Sequence, residues 1–123
     1  MPVSNRTLQN KVEPYWQSEC GHATVYVGDC LDVMRQLEID QFHAIITDPP
    51  YGLEFMDKDW DTPWKWGVAA SHGHSDENPY LFQKWFYERA EQMGRIAKPG
   101  AHILTFGGTR MWHRMTVAIE DAG

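Results

Sequence analysis

Apolar runs and helical repeats alternate along the first half of the chain. Residues 24–27 alternate between polar and apolar in the manner of a strand, and residues 43–47 form a mostly apolar run that is typical of a buried strand. Between them, Leu31, Met34 and Leu37 recur on one face of a short helical pattern. The order strand, turn, helix, strand is half of a nucleotide-binding βαβ unit.

A long amphipathic helix and a third strand are predicted after residue 77. Asn78 and Pro79 have the pattern of a helix N-cap and a first helical residue, and residues 98–100, Lys-Pro-Gly, predict the end of this helix. Residues 101–106 then form a third apolar strand. The apolar stripe of the helix, which we expect to be core against the sheet, comprises Phe82, Trp85, Phe86, Met93 and Ile96.

A turn and a last helix complete the pattern. Gly107 and Gly108 predict the turn, and Thr109 is the expected N-cap of the helix. The expected inner positions of this helix are Met111, Met115 and Ile119. We expect the three strands to be parallel and to have helices on their flanks, which makes the fold class α/β.

Composition is typical of one small domain. The chain has 123 residues, 42% of them apolar, which is enough for a modest core. Residues 1–22 are polar, and we expect a mobile N-terminal arm there and the folded domain over residues 23–123. No apolar run reaches membrane-spanning length, and residues 1–22 lack the hydrophobic stretch of a signal peptide, so we expect no membrane contact and a cytoplasmic location. Cys20 and Cys30 are then expected to be reduced thiols.

Metal-binding patterns are weak. Asp57, Asp59 and Asp61 imitate the start of a calcium loop, but Thr62 stands where that loop needs glycine and Val68 where it needs a bidentate glutamate. The cysteines and histidines lack the spacing of zinc ligands. We therefore expect no metal site.

The strongest chemical signal is Asp48-Pro49-Pro50-Tyr51, which directly follows the predicted strand of residues 43–47. Open α/β sheets bind ligands at the carboxyl ends of their strands. Two successive prolines hold the chain stiffly extended with unpaired carbonyl acceptors, and the Asp48 carboxylate adds another acceptor. The Tyr51 ring offers a stacking face. This combination suits a planar heterocycle with an exocyclic amine, and a plain strand-ending turn is the structural alternative.

These residues resemble the motif of the DNA amino-methyltransferases, which methylate adenine N6 or cytosine N4 with S-adenosylmethionine. The resemblance implies that the target base is flipped out of the duplex and that Tyr51 stacks on it. It also implies that Asp48, with Pro49 and Pro50, orients the amine toward the methyl group.

A second match precedes this motif. Gly28-Asp29-Cys30 follows the first predicted strand, at the place where this family contacts the adenine of its cofactor. The resemblance implies cofactor-binding roles for Asp29, Cys30 and Asp48, while a simple helix cap is the alternative for Asp29. The run Lys-Pro-Gly, strand, Phe-Gly-Gly-Thr-Arg is similar to phage and prophage members, and the resemblance covers about residues 22–123.

The implied fold is Rossmann-like but partial. Family members with this motif order hold the methionine part of the cofactor in a Phe-x-Gly-x-Gly loop near the C-terminus, and nothing in the sequence matches that loop. Two strands that separate the strands before Asp29 and Asp48 in the family are also missing. Residues 23–123 are therefore expected to be the catalytic half of a methyltransferase domain, with the cofactor-loop half absent.

The partners follow from charge and from the missing half. A net charge of −6 argues against this chain gripping DNA by itself, and Arg110 and Arg114 form either a small basic patch or a solvated face. Exposed sheet edges favour a complementary C-terminal half or self-association. We favour a truncated or split enzyme acting on DNA. A non-catalytic remnant that binds protein is the alternative, and a methyltransferase for another amine is a third.

The segment of residues 52–77 is too long for a plain connector. Its aromatic and imidazole side chains are Trp60, Trp64, Trp66, His72 and His74. We expect either a lid or strand-separating element near the DNA, or a satellite core that docks on the domain.

Overall fold

The structure, a computed structural model, describes residues 11–52 and 78–123, and the chain divides into two compact units after Leu37. Apart from Gly52, the predicted loop of residues 52–77 lies outside the described residues, together with its tryptophans, its histidines and the rejected calcium pattern. The first ten residues of the expected arm lie outside them as well.

The first unit contains a short hairpin and a short helix. Strands β1 (Trp16–Gln17) and β2 (Thr24–Val25) pair antiparallel. Helix α1 (Cys30–Met34) follows, and Leu31 is its buried residue. The strand predicted over residues 24–27 is therefore shorter than expected, and the prediction that it is parallel is wrong. The reason is a tight turn at Gly21, with φ of 73°, which brings β1 from the expected arm alongside β2.

The second unit contains a parallel strand pair. Strand β3 (Phe42–Thr47) is followed by helix α2 (Asn78–Ile96), strand β4 (Ala97–Thr105) and helix α3 (Trp112–Ala122). β3 and β4 pair in parallel, in a register that runs from Ala44 opposite His102 to Thr47 opposite Thr105. The parallel arrangement predicted for these two strands is confirmed.

β4 begins earlier than predicted. It follows α2 without a connecting loop, and its register with β3 is irregular between the pair Phe42–Ala97 and the pair Ala44–His102. This irregularity contains Lys98-Pro99-Gly100, because proline has no N–H for a ladder hydrogen bond and Gly100 has a φ of 81°.

Most of the core lies between the two long helices. α2 packs mainly on α3 and to a lesser extent on β4, so the expectation that its stripe packs against the sheet is only partly confirmed. The rings of Phe82 and Phe86 are fully buried and stack with centroids 6.0 Å apart. Trp85 is half-buried, and the guanidinium of Arg89 lies over its ring, 3.9 Å from the centroid. The buried apolar residues of α2 are Phe82, Phe86, Ala90, Met93 and Ile96.

The start of α3 differs from the prediction. Thr109 does not cap it; the N-cap position is Met111, which makes no side-chain capping bond. The backbone N–H groups of Met111 and Trp112 both donate to the carbonyl of Gly108, so a turn precedes the helix and carries Met111 into the core. Met115 is buried as predicted, whereas Ile119 is half-buried and Ala118 is fully buried.

The described residues therefore form a mixed α/β structure with a small parallel sheet. α2 begins at Asn78, one residue earlier than the sequence predicts. In the described ranges, no helix has the length and apolarity needed to cross a membrane.

Candidate functional site

The proline motif lies at the carboxyl end of a strand, as predicted. β3 ends at Thr47, whose carbonyl accepts a hydrogen bond of 3.0 Å from the backbone N–H of Phe106. Asp48 follows with an exposed side chain, while Pro49, Pro50 and Tyr51 are half-buried. The chain thus leaves the sheet with its carboxylate facing solvent, at the edge where parallel sheets present ligand sites.

Gly52 ends the motif in a left-handed backbone conformation. It is buried and has a φ of 70°, a conformation that a side chain would disfavour. This conformation fixes where Tyr51 leaves the extended Pro-Pro segment, because the prolines restrict the backbone on its other side. The position of the Tyr51 ring is therefore set by the local backbone.

Tyr51 and Asp48 are joined by a hydrogen bond. The Tyr51 hydroxyl donates to Asp48 Oδ1 at 2.8 Å. This bond is the main cause of a raised pKa for Tyr51, and burial and the negative charge of Asp48 act in the same direction. The phenol is thus held protonated as a donor. A carboxylate has about four lone-pair sites, so Asp48 retains acceptor capacity for a ligand.

The motif can therefore bind a hydrogen-bond donor beside an aromatic ring. Asp48 supplies negative charge and acceptor oxygens, Pro49 supplies a carbonyl next to it, and Tyr51 supplies an aromatic face three residues away. An NH₂ group on a planar ring matches this set, because it brings two donors in the plane of a surface that stacks.

Two of the three residues of the predicted cofactor site, Asp29 and Cys30, lie in the first unit, whereas Asp48 lies in the second. Asp29 is the N-cap of α1 and its Oδ1 accepts a hydrogen bond of 2.8 Å from the backbone N–H of Leu31. The alternative that Asp29 caps a helix is therefore confirmed. Both Asp29 and Cys30 are exposed, and Cys30 is the first residue of α1.

Both cysteines are free thiols with exposed side chains. Within the ranges that the structure describes, no group of three or more acidic, histidine or cysteine side chains is arranged to hold a metal ion.

Arg114 is a packing residue, while Arg110 is exposed. The Arg114 guanidinium lies 4.5 Å from the centroid of the Tyr80 ring and donates to Gln83 Oε1 at 3.2 Å. These contacts fasten α3 to α2. Only Arg110 of the two therefore keeps the solvated position that a phosphate contact needs.

The sequence pattern does not single out Phe106 as a candidate site residue. It predicts Phe106 as the end of a strand before the Gly-Gly turn, whereas in the structure its N–H donates to the Thr47 carbonyl and its side chain is 60% exposed. The signal in the sequence was an aromatic residue at the end of an apolar strand. Phe106 lies near Asp48 only because of the β3–β4 register, and sequence periodicity does not specify that register.

Comparison with known proteins supports the resemblance. No protein-family model matches the chain. The type II methyltransferase M.HindIII of Haemophilus influenzae is 26% identical in an alignment 122 positions long, which covers 80% of this chain and 39% of that protein. The type II methyltransferase M.BamHI of Bacillus amyloliquefaciens is 27% identical over 97 residues, which cover 78% of this chain and 19% of that protein.

The relatives of this chain are methyltransferases. The predicted resemblance to DNA methyltransferases is therefore confirmed. The chain spans about two fifths or less of the length of the curated relatives it matches.

Proposed function

We propose that this chain is the catalytic half of a DNA amino-methyltransferase. It helps to transfer a methyl group from S-adenosylmethionine to the exocyclic amine of a flipped base, either adenine N6 or cytosine N4, in a truncated or split enzyme. One observation carries the proposal. A chain with methyltransferase relatives has Asp48-Pro49-Pro50-Tyr51 at the carboxyl end of a strand in a parallel pair.

Asp48 and Pro49 are assigned to the amine. An aromatic amine is a poor nucleophile, because its lone pair is delocalised into the ring. Acceptors on both of its hydrogens draw the nitrogen toward tetrahedral geometry and stabilise the positive charge that develops as it attacks. Asp48 supplies one acceptor with a full negative charge, and the Pro49 carbonyl, on a restricted backbone, supplies the other.

Tyr51 is assigned to the ring of the base. Stacking on an extruded base contributes ~1 to 3 kcal/mol, which offsets part of the cost of taking the base out of the duplex. The hydroxyl of Tyr51 has a different role, because its bond to Asp48 Oδ1 orients the carboxylate.

Asp29 and Cys30 are assigned to the adenine end of S-adenosylmethionine, which supplies an electrophilic methyl group when bound. The exposed carboxylate of Asp29 fits an adenine amine, although one of its oxygens also caps α1. No Phe-x-Gly-x-Gly segment for the methionine end is present in the sequence. We therefore expect this chain alone to bind the cofactor weakly.

DNA affinity is assigned mainly to the complementary half of the proposed enzyme. The chain has a net charge of −6, and affinity for phosphates comes mainly from lysine and arginine. In this proposal, the parallel β3–β4 pair belongs to a Rossmann-like methyltransferase domain, together with helices α2 and α3.

A protein-binding remnant is the second candidate function. It is favoured by the exposed apolar residues of the parallel pair, since Ile46 is 71% exposed and its register partner Leu104 is 53% exposed. An apolar face of this kind marks an interaction surface. This alternative predicts tight association with a partner and no dependence on Asp48.

Co-expression with a complementary segment tests the proposal. The segment is the C-terminal part of a related methyltransferase, with its Phe-x-Gly-x-Gly loop and recognition region. We expect a complex that transfers labelled methyl groups to DNA, and loss of that transfer in Asp48→Ala. A complex that forms equally well with wild-type and Asp48→Ala chains but never methylates DNA supports the remnant instead.

A further inference from the structure

We propose that Phe106 forms the wall on which the ring of the amine-bearing ligand stacks, beside Asp48. The inference rests on the proposed function for the chemistry of the ligand, a planar heterocycle with an exocyclic amine. Phe106 would be a specificity residue at the end of β4, the strand that pairs with β3, and the proline motif directly follows β3.

The register of the sheet places Phe106 next to the motif. Its N–H donates to the carbonyl of Thr47 at 3.0 Å, one residue beyond the last pair of the ladder, Thr47 opposite Thr105. Continuing that register by one residue sets Phe106 opposite Asp48, at about the 4.8 Å spacing of neighbouring strands. The main chains of the two residues are therefore held side by side.

Strand alternation assigns both residues to one face. Ile46 and Leu104 are register partners, and successive side chains in a strand point to opposite faces. Asp48 and Phe106 lie two residues after Ile46 and Leu104, one residue beyond the ends of β3 and β4. Asp48 precedes a proline, which favours extended backbone, and Phe106 donates to the Thr47 carbonyl, so we extend the alternation by one residue to both. That face is exposed, with Phe106 at 60%, so a ligand has access to the ring.

The segment that carries Phe106 is anchored on its other side as well. A Cβ at Gly107 would lie 3.4 Å from the buried Met115 side chain, so this segment runs close to α3. The carbonyl of Gly108 accepts from the N–H groups of Met111 and Trp112 at 3.1 and 3.0 Å. Phe106 is thus an exposed ring on a main chain that hydrogen bonds hold on both sides.

Phe106 and Tyr51 differ in what fixes their rings. The ring of Tyr51 is tied through its hydroxyl to Asp48, so its orientation is coupled to the carboxylate. Phe106 has no polar group, so it recognises the face of a ring regardless of the substituents that Asp48 reads. The two functions, reading the amine and stacking on the ring, are therefore separable by substitution.

Nucleoside binding by the full chain tests this separation without a DNA recognition sequence. The probes are adenosine and cytidine, which carry the amine, and inosine and uridine, which lack it; dissociation constants come from NMR titration. We expect Phe106→Ala and Phe106→Leu to weaken adenosine and inosine alike by about 5- to 100-fold, and Phe106→Tyr to retain binding. Leu104→Ala, an equally conservative change on the same face, should have little effect.

The outcomes separate the inference from the proposed function. Wild-type affinity in Phe106→Leu, a loss in Leu104→Ala as large as that in Phe106→Ala, or no binding of any of the four nucleosides to the wild-type chain overturns the stacking wall. Asp48→Ala should weaken adenosine more than inosine, because both lose the oriented Tyr51 ring but only adenosine also loses the acceptor of its amine. If Asp48→Ala changes neither while the Phe106 variants lose both, the wall stands and the amine-reading function fails.

Discussion

The Tyr51 hydroxyl donates a 2.8 Å hydrogen bond to Asp48 Oδ1, across the two prolines that separate these residues in the sequence. Because the prolines restrict the backbone between donor and acceptor, little chain entropy is lost when the bond forms. The carboxylate is consequently oriented before any ligand arrives. An oriented acceptor favours the charge that develops in a transition state, because it needs no reorganisation during the reaction.

The first prediction concerns the titration of Tyr51. Its pKa is raised, chiefly by the hydrogen bond to Asp48. A group with a raised folded-state pKa contributes its stabilisation below the unfolded pKa and loses it as the pH rises through the folded pKa. We therefore expect the bond to be intact at neutral pH and lost in strongly alkaline solution, as observed by NMR of ring-labelled tyrosine. Asp48→Ala removes the acceptor and should bring the pKa back toward its ordinary value, and an unchanged titration in that variant would contradict the bond.

The second prediction concerns methyl-transfer rates in the reconstituted enzyme, which is the complex of this chain with the co-expressed complementary segment. Asp48→Ala removes a charge-stabilising acceptor and should lower methyl transfer by about 10² to 10³ or abolish it. Tyr51→Phe keeps the stacking ring and loses only the orienting bond, so we expect it to retain much of the activity. A labelled-methyl assay measures both. An active Asp48→Ala enzyme would show that Asp48 is not needed for methyl transfer. An inactive Tyr51→Phe enzyme would show that the hydroxyl of Tyr51 contributes more to the reaction than its ring.

The third prediction uses the two free thiols. Cys20 and Cys30 are both exposed, but only Cys30 is assigned to the cofactor site. Saturating S-adenosylmethionine should slow alkylation of Cys30 and leave Cys20 unaffected, as measured by mass spectrometry of the labelled peptides. Equal protection of both thiols, or of neither, is the result that the cofactor assignment cannot accommodate.

The fourth prediction concerns the helical core. Phe86 is 1% exposed and stacks on Phe82, so Phe86→Ala should lower the free energy of unfolding by about 3 to 5 kcal/mol. Lys84→Ala, at an exposed position of the same helix, is the matched control and should stay within about 0.5 kcal/mol. Denaturant unfolding measures both, and a similar small effect in the two variants would show that the core between α2 and α3 is absent.

Local patterns predicted those elements that local interactions decide. Residues 43–47 and 101–105 are apolar and lie on either side of a helical stripe, and they form the parallel pair. The proline motif lies directly after the first of them, because proline cannot continue the ladder. These features follow from periodicity and from the backbone restrictions of single residue types.

Features that depend on distant contacts were not predicted. Residues 24 and 25 pair with residues 16 and 17, because a glycine turn gives them a nearer partner than a parallel strand. Thr109 is displaced as a cap because the burial of Met111 sets the start of α3. Phe106 enters the candidate site through the register of β3 with β4, and periodicity alone leaves that register open.

The most direct test of the central claim is the identity of the methylated base. DNA treated with the reconstituted enzyme and S-adenosylmethionine is digested to nucleosides and analysed by mass spectrometry, in parallel with the Asp48→Ala enzyme. The account predicts N6-methyladenine or N4-methylcytosine, present with the wild-type chain and missing with Asp48→Ala. A methyl group on a ring carbon such as cytosine C5, or amine methylation that persists without the Asp48 carboxylate, would contradict it.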